Sequence, residues 1–152
     1  AVEQNDDLGV YFVTHPNPRA HEPARRILGG HPRISVVDAI CYADMVAALK
    51  MSWIVVTDSG GLQEEAPALG KPVLVLRNTT ERPEAVRAGA VRVVGTNTAS
   101  VANAISQLHD DPELYARMSV PVFPYGDGQA AKRIVAAMRA RLAPPVQTLS
   151  AA

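Results

Sequence analysis

Short apolar runs recur along the chain, each closed by glycine, proline or a polar cluster, and the stretches between them carry helical spacing. Residues 8–14, 34–37, 53–57, 73–76 and 91–94 are runs of strand length, rich in β-branched and aromatic side chains. Helices are predicted over 20–28, 42–51, 62–69, 84–88, 99–108, 112–118 and 129–142. Asn17 can cap the first, with Pro18 at its opening position, and Gly29-Gly30 stops it. Asp44 or a neighbour caps the second, Gly70-Lys71-Pro72 ends the third, and Thr98 caps the helix from 99. Asp111-Pro112 opens a brief helix, and Pro121 and Pro124 then break the chain. Strands alternating with helices imply an α/β fold: a Rossmann-like parallel sheet with helices on both faces. Residues 1–142 read as one domain, followed by a flexible tail over 143–152.

In such sheets ligands bind at the carboxyl ends of the strands, which directs attention to residues 53–83. There a buried strand meets Asp58-Ser59-Gly60-Gly61 and then a helix. The bland reading is a tight turn capped by Asp58 or Ser59. The functional reading is an anion site: glycines let backbone approach a ligand, and the first helical N–H groups point at it. Glu65 sits about one turn into the helix, where a carboxylate can accept from sugar hydroxyls. Gln63 reads as part of a solvated polar face and Glu64 as support for the fold. Arg82 either pairs on the surface with Glu81 or Glu84 or reaches the ligand.

Composition narrows the classes. Lysine plus arginine and aspartate plus glutamate each number 15 in 152 residues, so charge makes no case for nucleic acid or an anionic membrane. No apolar run approaches the ~20 residues of a membrane span, and residues 1–9 lack the features of a signal peptide. The single cysteine, Cys41, cannot form an internal disulfide, a composition suited to a reducing, cytoplasmic setting. The first residue is not methionine, and the chain is expected to be cut from something longer. No spacing of histidine, cysteine and acidic residues suggests a metal site. His21, His31 and His109 read as surface residues; His15, at a strand end in His-Pro-Asn-Pro, reads as structural unless a ligand lies nearby.

Thr57-Asp58-Ser59-Gly60-Gly61, Gln63-Glu64-Glu65-Ala66-Pro67, Leu69-Gly70-Lys71-Pro72-Val73-Leu74 and Thr79-Thr80-Glu81-Arg82-Pro83-Glu84 stand in unbroken order. This run closely resembles the C-terminal half of the non-hydrolysing UDP-N-acetylglucosamine 2-epimerases, and the likeness extends from about residue 8 to 142. It implies the second domain of a two-domain GT-B-like fold, with the nucleotide in the cleft between two Rossmann-like domains. The family's reaction removes the proton at C2 of the sugar and expels UDP from C1. UDP then returns to the glycal with C2 inverted, giving UDP-N-acetylmannosamine, and no cofactor is implied. By the resemblance, Ser59, Gly60, Gly61 and Arg82 hold the diphosphate and Glu65 the ribose hydroxyls. His15 becomes a candidate for a second, regulatory nucleotide-sugar site. UDP and UDP-N-acetylhexosamines are the implied ligands and a homodimer the implied full-length assembly.

The sequence also departs from the family. Met45 stands where a bulky aromatic often lies beside the uracil, and Ile40 where a polar group can occur. Both remain candidates to line the base, Ile40 through its backbone. Pro124-Tyr125-Gly126-Asp127-Gly128 matches a family motif except that Phe123 replaces its asparagine; Tyr125 and Asp127 read as a loop capping the last helix. The family's acid/base carboxylates lie in its N-terminal domain, so no catalytic residue is assigned in this chain, which is expected not to catalyse alone. The first, central strand of the C-terminal domain is also expected to be absent, leaving two unpaired edges or forcing the strands at 8 and 53 together. A glycosyltransferase domain, a hydrolysing relative and a non-catalytic UDP-sugar-binding module remain as alternatives.

Overall fold

The computed structural model describes residues 1–142; the tail read at 143–152 lies outside the described residues. The elements in order are β1 (Val10–Val13), α1 (Pro18–Leu28), β2 (Ile34–Val37), α2 (Tyr42–Met51), β3 (Val55–Thr57), α3 (Gly60–Ala68), β4 (Val73–Val75), α4 (Pro83–Arg87), β5 (Val91–Val93), α5 (Thr98–Asp110), α6 (Pro112–Met118) and α7 (Ala130–Leu142). Every predicted strand and helix is present. The span read as one domain falls into two compact units, Ala1–Val122 and a second that begins at Phe123.

Several element ends differ from the expected bounds, and the starts of three helices show the local chemistry. Helix α3 opens two residues early, so Gly60 and Gly61 form its first turn rather than a preceding loop. Helix α5 is capped by Asn97, whose Oδ1 accepts from the N–H groups of Ala99 and Ser100 at 2.9 and 3.2 Å, and Thr98 becomes its first residue. Cys41 takes the cap position of α2 without a side-chain capping bond, and its thiol donates to Asp44 at 3.1 Å.

All strand pairs are parallel, but they form two sheets, β1-β2 and β3-β4-β5. Strands β1 and β3 do not pair with each other, which is the first of the two outcomes expected above. Apolar side chains stay exposed on those two strands: Tyr11 at 55%, Phe12 at 38% and Val56 at 39%.

The three-stranded sheet shows why helices cover both faces. Side chains alternate across a strand. Val73 and Val75 of β4 pack with Val55 and Val91 under Leu49 of α2, Ala66 of α3 and Ala85 of α4. Leu74, between them, packs the other way, against Ala104 and Leu108 of α5 and Met118 of α6. A strand buried on both faces must be apolar throughout, as Val73-Leu74-Val75 is. Gly70 closes α3 in the left-handed region at φ +67, and a Cβ there would meet the Ser119 carbonyl oxygen at 2.7 Å, so both conformation and space demand glycine.

His109 is not the free surface residue the sequence suggested. It is half-buried, edge-on to Trp53 with ring centroids 6.0 Å apart, and Trp53 stacks on Tyr115. Its ring nitrogens lie 3.0 Å from Asp110 and 3.0 Å from Asp7. These hydrogen bonds, Asp110's first and Asp7's second, raise its pKa above the ordinary 6.5. The stability it contributes is full below pH 6.5 and lost as pH rises through the raised value. The hydrogen bond from His109 lowers Asp7 from 3.8, so that carboxylate's share is lost only as pH falls through the lowered value. Thermal melts from about pH 5 to about pH 9 should therefore show wild type losing its advantage over His109→Gln on the alkaline side. Parallel curves would contradict this.

Candidate functional site

The site grows from the carboxyl end of β3. Buried Thr57 turns the chain there: its hydroxyl accepts the Ser59 N–H at 3.0 Å. Ser59 then occupies the cap position of α3 in extended conformation, and its side chain makes no capping bond. The first intrahelical bond runs from Gln63 N–H to the Ser59 carbonyl at 3.4 Å, so the N–H groups of Gly60, Gly61 and Leu62 precede it and have no acceptor within the helix. They carry the positive end of the helix dipole.

Neither Gly60 nor Gly61 has positive φ, so backbone conformation does not require glycine at either position. Space distinguishes them. A Cβ on Gly60 would lie 3.0 Å from a Glu81 carboxylate oxygen and 4.0 Å from Arg82 Nη2. A Cβ on Gly61 would meet only the Ser59 hydroxyl, at an ordinary 3.9 Å. Gly60 thus lets the loop after β4 close over the helix start, and Gly61 leaves bare backbone facing outward.

That second loop brings the cation. Arg82 Nε pairs with Glu64 on α3, a partner that the surface reading did not name. Glu64 accordingly supports the fold by tying α3 to the loop. Arg77 pairs with Glu81 at 2.6 Å. Glu81 is held below the usual carboxylate range by its own backbone N–H, with Arg77 and Arg82 adding to the effect. Glu65 is half-buried on the same helix and has no hydrogen-bond or ion-pair partner among the described residues. The arrangement offers amide donors, a hydroxyl and a guanidinium to an anion, beside one carboxylate available for hydroxyl groups.

Gln63 corrects the sequence reading outright. It is wholly buried, not solvated. Its Nε2 donates to the Ser59 carbonyl at 3.1 Å, its Oε1 accepts from the Thr80 hydroxyl, and that hydroxyl accepts from the Arg82 N–H at 3.1 Å. Helical phase held a clue, because Gln63 lies three and four residues before buried Ala66 and Pro67.

The other candidates also lie beyond strand carboxyl ends. Ile40 is in the loop after β2, half-buried. Met45, in α2, packs against the cluster of Leu49, Val55 and Val73. His15 follows β1, exposed, and its Nδ1 accepts from the Asn17 N–H at 3.1 Å. In the second unit Asp127 lies just before α7, accepting from the Gln129 N–H at 3.0 Å and pairing with Arg133 of the helix at 2.6 Å, while Phe123 is exposed. Among the described residues no group of three or more histidine, cysteine or acidic side chains could hold a metal, and no helix is long and apolar enough to cross a membrane.

Comparison with known proteins bears on this geometry. Over 135 residues the chain is 46% identical to the UDP-N-acetylglucosamine 2-epimerase of Escherichia coli K12, covering 89% of this chain and 36% of that protein. The Bacillus subtilis enzyme of the same name is 43% identical over 134 residues, covering 88% and 35%. The chain thus spans about 36% of the length of the curated relatives it matches. Among solved structures, the Staphylococcus aureus MnaA–UDP co-structure superposes with a TM-score of 0.88 at 45% identity, over 93% of this chain and 39% of that one. The Neisseria meningitidis UDP-GlcNAc 2-epimerase bound to UDP-GlcNAc gives 0.87 at 40%, over 90% and 37%. The family described as UDP-N-acetylglucosamine 2-epimerase matches residues 1–139, and the chain belongs to that family.

Proposed function

We propose that this chain is the UDP-binding part of a UDP-N-acetylglucosamine 2-epimerase, an isomerase that interconverts UDP-GlcNAc and UDP-ManNAc. The observation that carries the reading is the start of α3, where bare amides, the Ser59 hydroxyl and the Arg82 guanidinium meet around two glycines. The bound UDP of the S. aureus relative and the bound UDP-GlcNAc of the N. meningitidis relative support it. Gly60, Gly61, Ser59 and Arg82 hold the diphosphate, Glu65 the ribose hydroxyls, and Ile40 and Met45 border the base. UDP is the leaving group, so donors around the diphosphate stabilise the charge that develops as C1–O breaks, and they act on the transition state as well as on binding. Proton transfer at C2 needs acid/base groups that this site does not supply. Epimerase activity of the chain alone, above a Ser59→Ala control, would contradict that division of labour.

Calorimetric titration of UDP into the chain, with Ser59→Ala and Glu65→Ala alongside, tests the reading. Each substitution removes a hydrogen-bonding group at a polar ligand and should weaken binding by about 1–1.5 kcal/mol, roughly tenfold. A folded chain that does not bind UDP, or two variants that bind it as wild type does, would overturn it.

A further inference from the structure

We infer that Gln63 is a positioning residue: its side-chain amide couples the β3–α3 turn to the β4–α4 loop, so that the helix amides and Arg82 address one ligand in a fixed relative geometry. The inference rests on the UDP-binding reading for its functional consequence, but the coupling stands on geometry. The Ser59 carbonyl can only accept, so the Gln63 NH₂ must face it. The Gln63 carbonyl is then left for the Thr80 hydroxyl, which in turn leaves a Thr80 lone pair for the Arg82 N–H. Each bond fixes the sense of the next, and hydrogen bonds in such a chain polarise one another.

A structural role alone does not account for the residue type. Gln63 is 0% exposed, among Ala66 and Pro67 of its own helix. Burying an amide costs free energy that its hydrogen bonds barely recover, and an apolar side chain of similar shape often packs as well. What the amide provides is a side-chain link from the start of α3 to Thr80 in the β4–α4 loop, beyond the backbone bond of Leu76 N–H to the Thr57 carbonyl at 2.9 Å where the two strands end. Ser59 and Arg82 are 23 positions apart in sequence, and one side chain spans the interval. The ion pair of Arg82 with Glu64 is half-exposed and acts on the guanidinium, whereas the Gln63 relay acts on the Arg82 backbone.

The test uses Gln63→Met, which keeps the volume and removes both bonds, and Thr80→Val, which breaks the relay from the other loop. Amide hydrogen exchange of the ligand-free chain should show the Arg82 N–H losing protection at least tenfold in either variant, with the rest of the sheet unchanged. UDP affinity, measured well below the melting temperature, should fall roughly tenfold in each. The double variant should fall no further than either single one, because both break the same relay. Lower melting temperatures with unchanged Arg82 exchange would overturn the inference, as would additive losses of affinity. If folded wild type fails to bind UDP, the functional reading fails, and the exchange data alone still decide the coupling. Should Gln63→Met not fold, Thr80→Val carries both measurements.

Discussion

Replacing Arg82 with alanine is expected to weaken UDP binding more than any other single change at the site, by about 2 kcal/mol or roughly thirtyfold. The chain is formally neutral, with 15 basic and 15 acidic side chains, so no diffuse positive field draws a diphosphate in. Attraction must be local. Arg77 is engaged by Glu81 at 2.6 Å, and the Arg82 guanidinium, tied through Nε to Glu64, is the cation that stands beside Gly60 at the helix start. Removing it also leaves Glu64 without its ion pair near an incoming anion. The Arg82 side chain is 36% exposed, so the effect is set below that of a fully desolvated charge pair. It should shrink as ionic strength rises, because salt screens the exposed part of the interaction. Arg82→Lys should recover only part of the loss, since a point charge does not reproduce the planar fork. Titration calorimetry of the three proteins at two salt concentrations checks this. Equal dissociation constants for wild type and Arg82→Ala would remove Arg82 from the site.

For stability, Leu74→Ala should have the largest effect, about 2–5 kcal/mol. Leu74 is wholly buried in the middle of the central strand and holds α5 and α6 on the sheet through Leu108, Ala104 and Met118. Close-packed surroundings relax little into the space an alanine leaves, so a cavity term adds to the lost transfer free energy. Domains of this size carry only about 5–15 kcal/mol in total, so the variant should melt far earlier or not fold. Val56, its register partner on β3, is 39% exposed, and Val56→Ala should cost much less. Urea unfolding of the two variants measures the contrast. Similar midpoints would mean that the α5–α6 face contributes little.

Much of this was legible in the chain because it is local. The strand at Val55–Thr57 announces itself by β-branching, and α3 by its glycine start and the Gly70-Lys71-Pro72 stop. The grouping of Ser59, Gly60, Gly61 and Arg82 followed from parallel strands, whose carboxyl ends must share an edge. The even alternation that sends Val73 and Val75 one way and Leu74 the other is likewise a property of any strand.

The tertiary structure decided what depends on partners distant in sequence. Polar residues on a helix look alike in a string; Gln63 is buried, and Thr80, 17 positions on, satisfies its side-chain carbonyl. Glu64, 18 positions from Arg82, meets that guanidinium because α3 presents its carboxylate to the Arg82 side chain, while Arg77 holds Glu81. His109 meets Asp7 across 102 positions. The sequence by itself determined the elements and their parallel order, since these follow from periodicity and turn chemistry. Which side chains are buried, and which charge each one faces, was left to packing, because burial and electrostatic pairing are properties of neighbours in space.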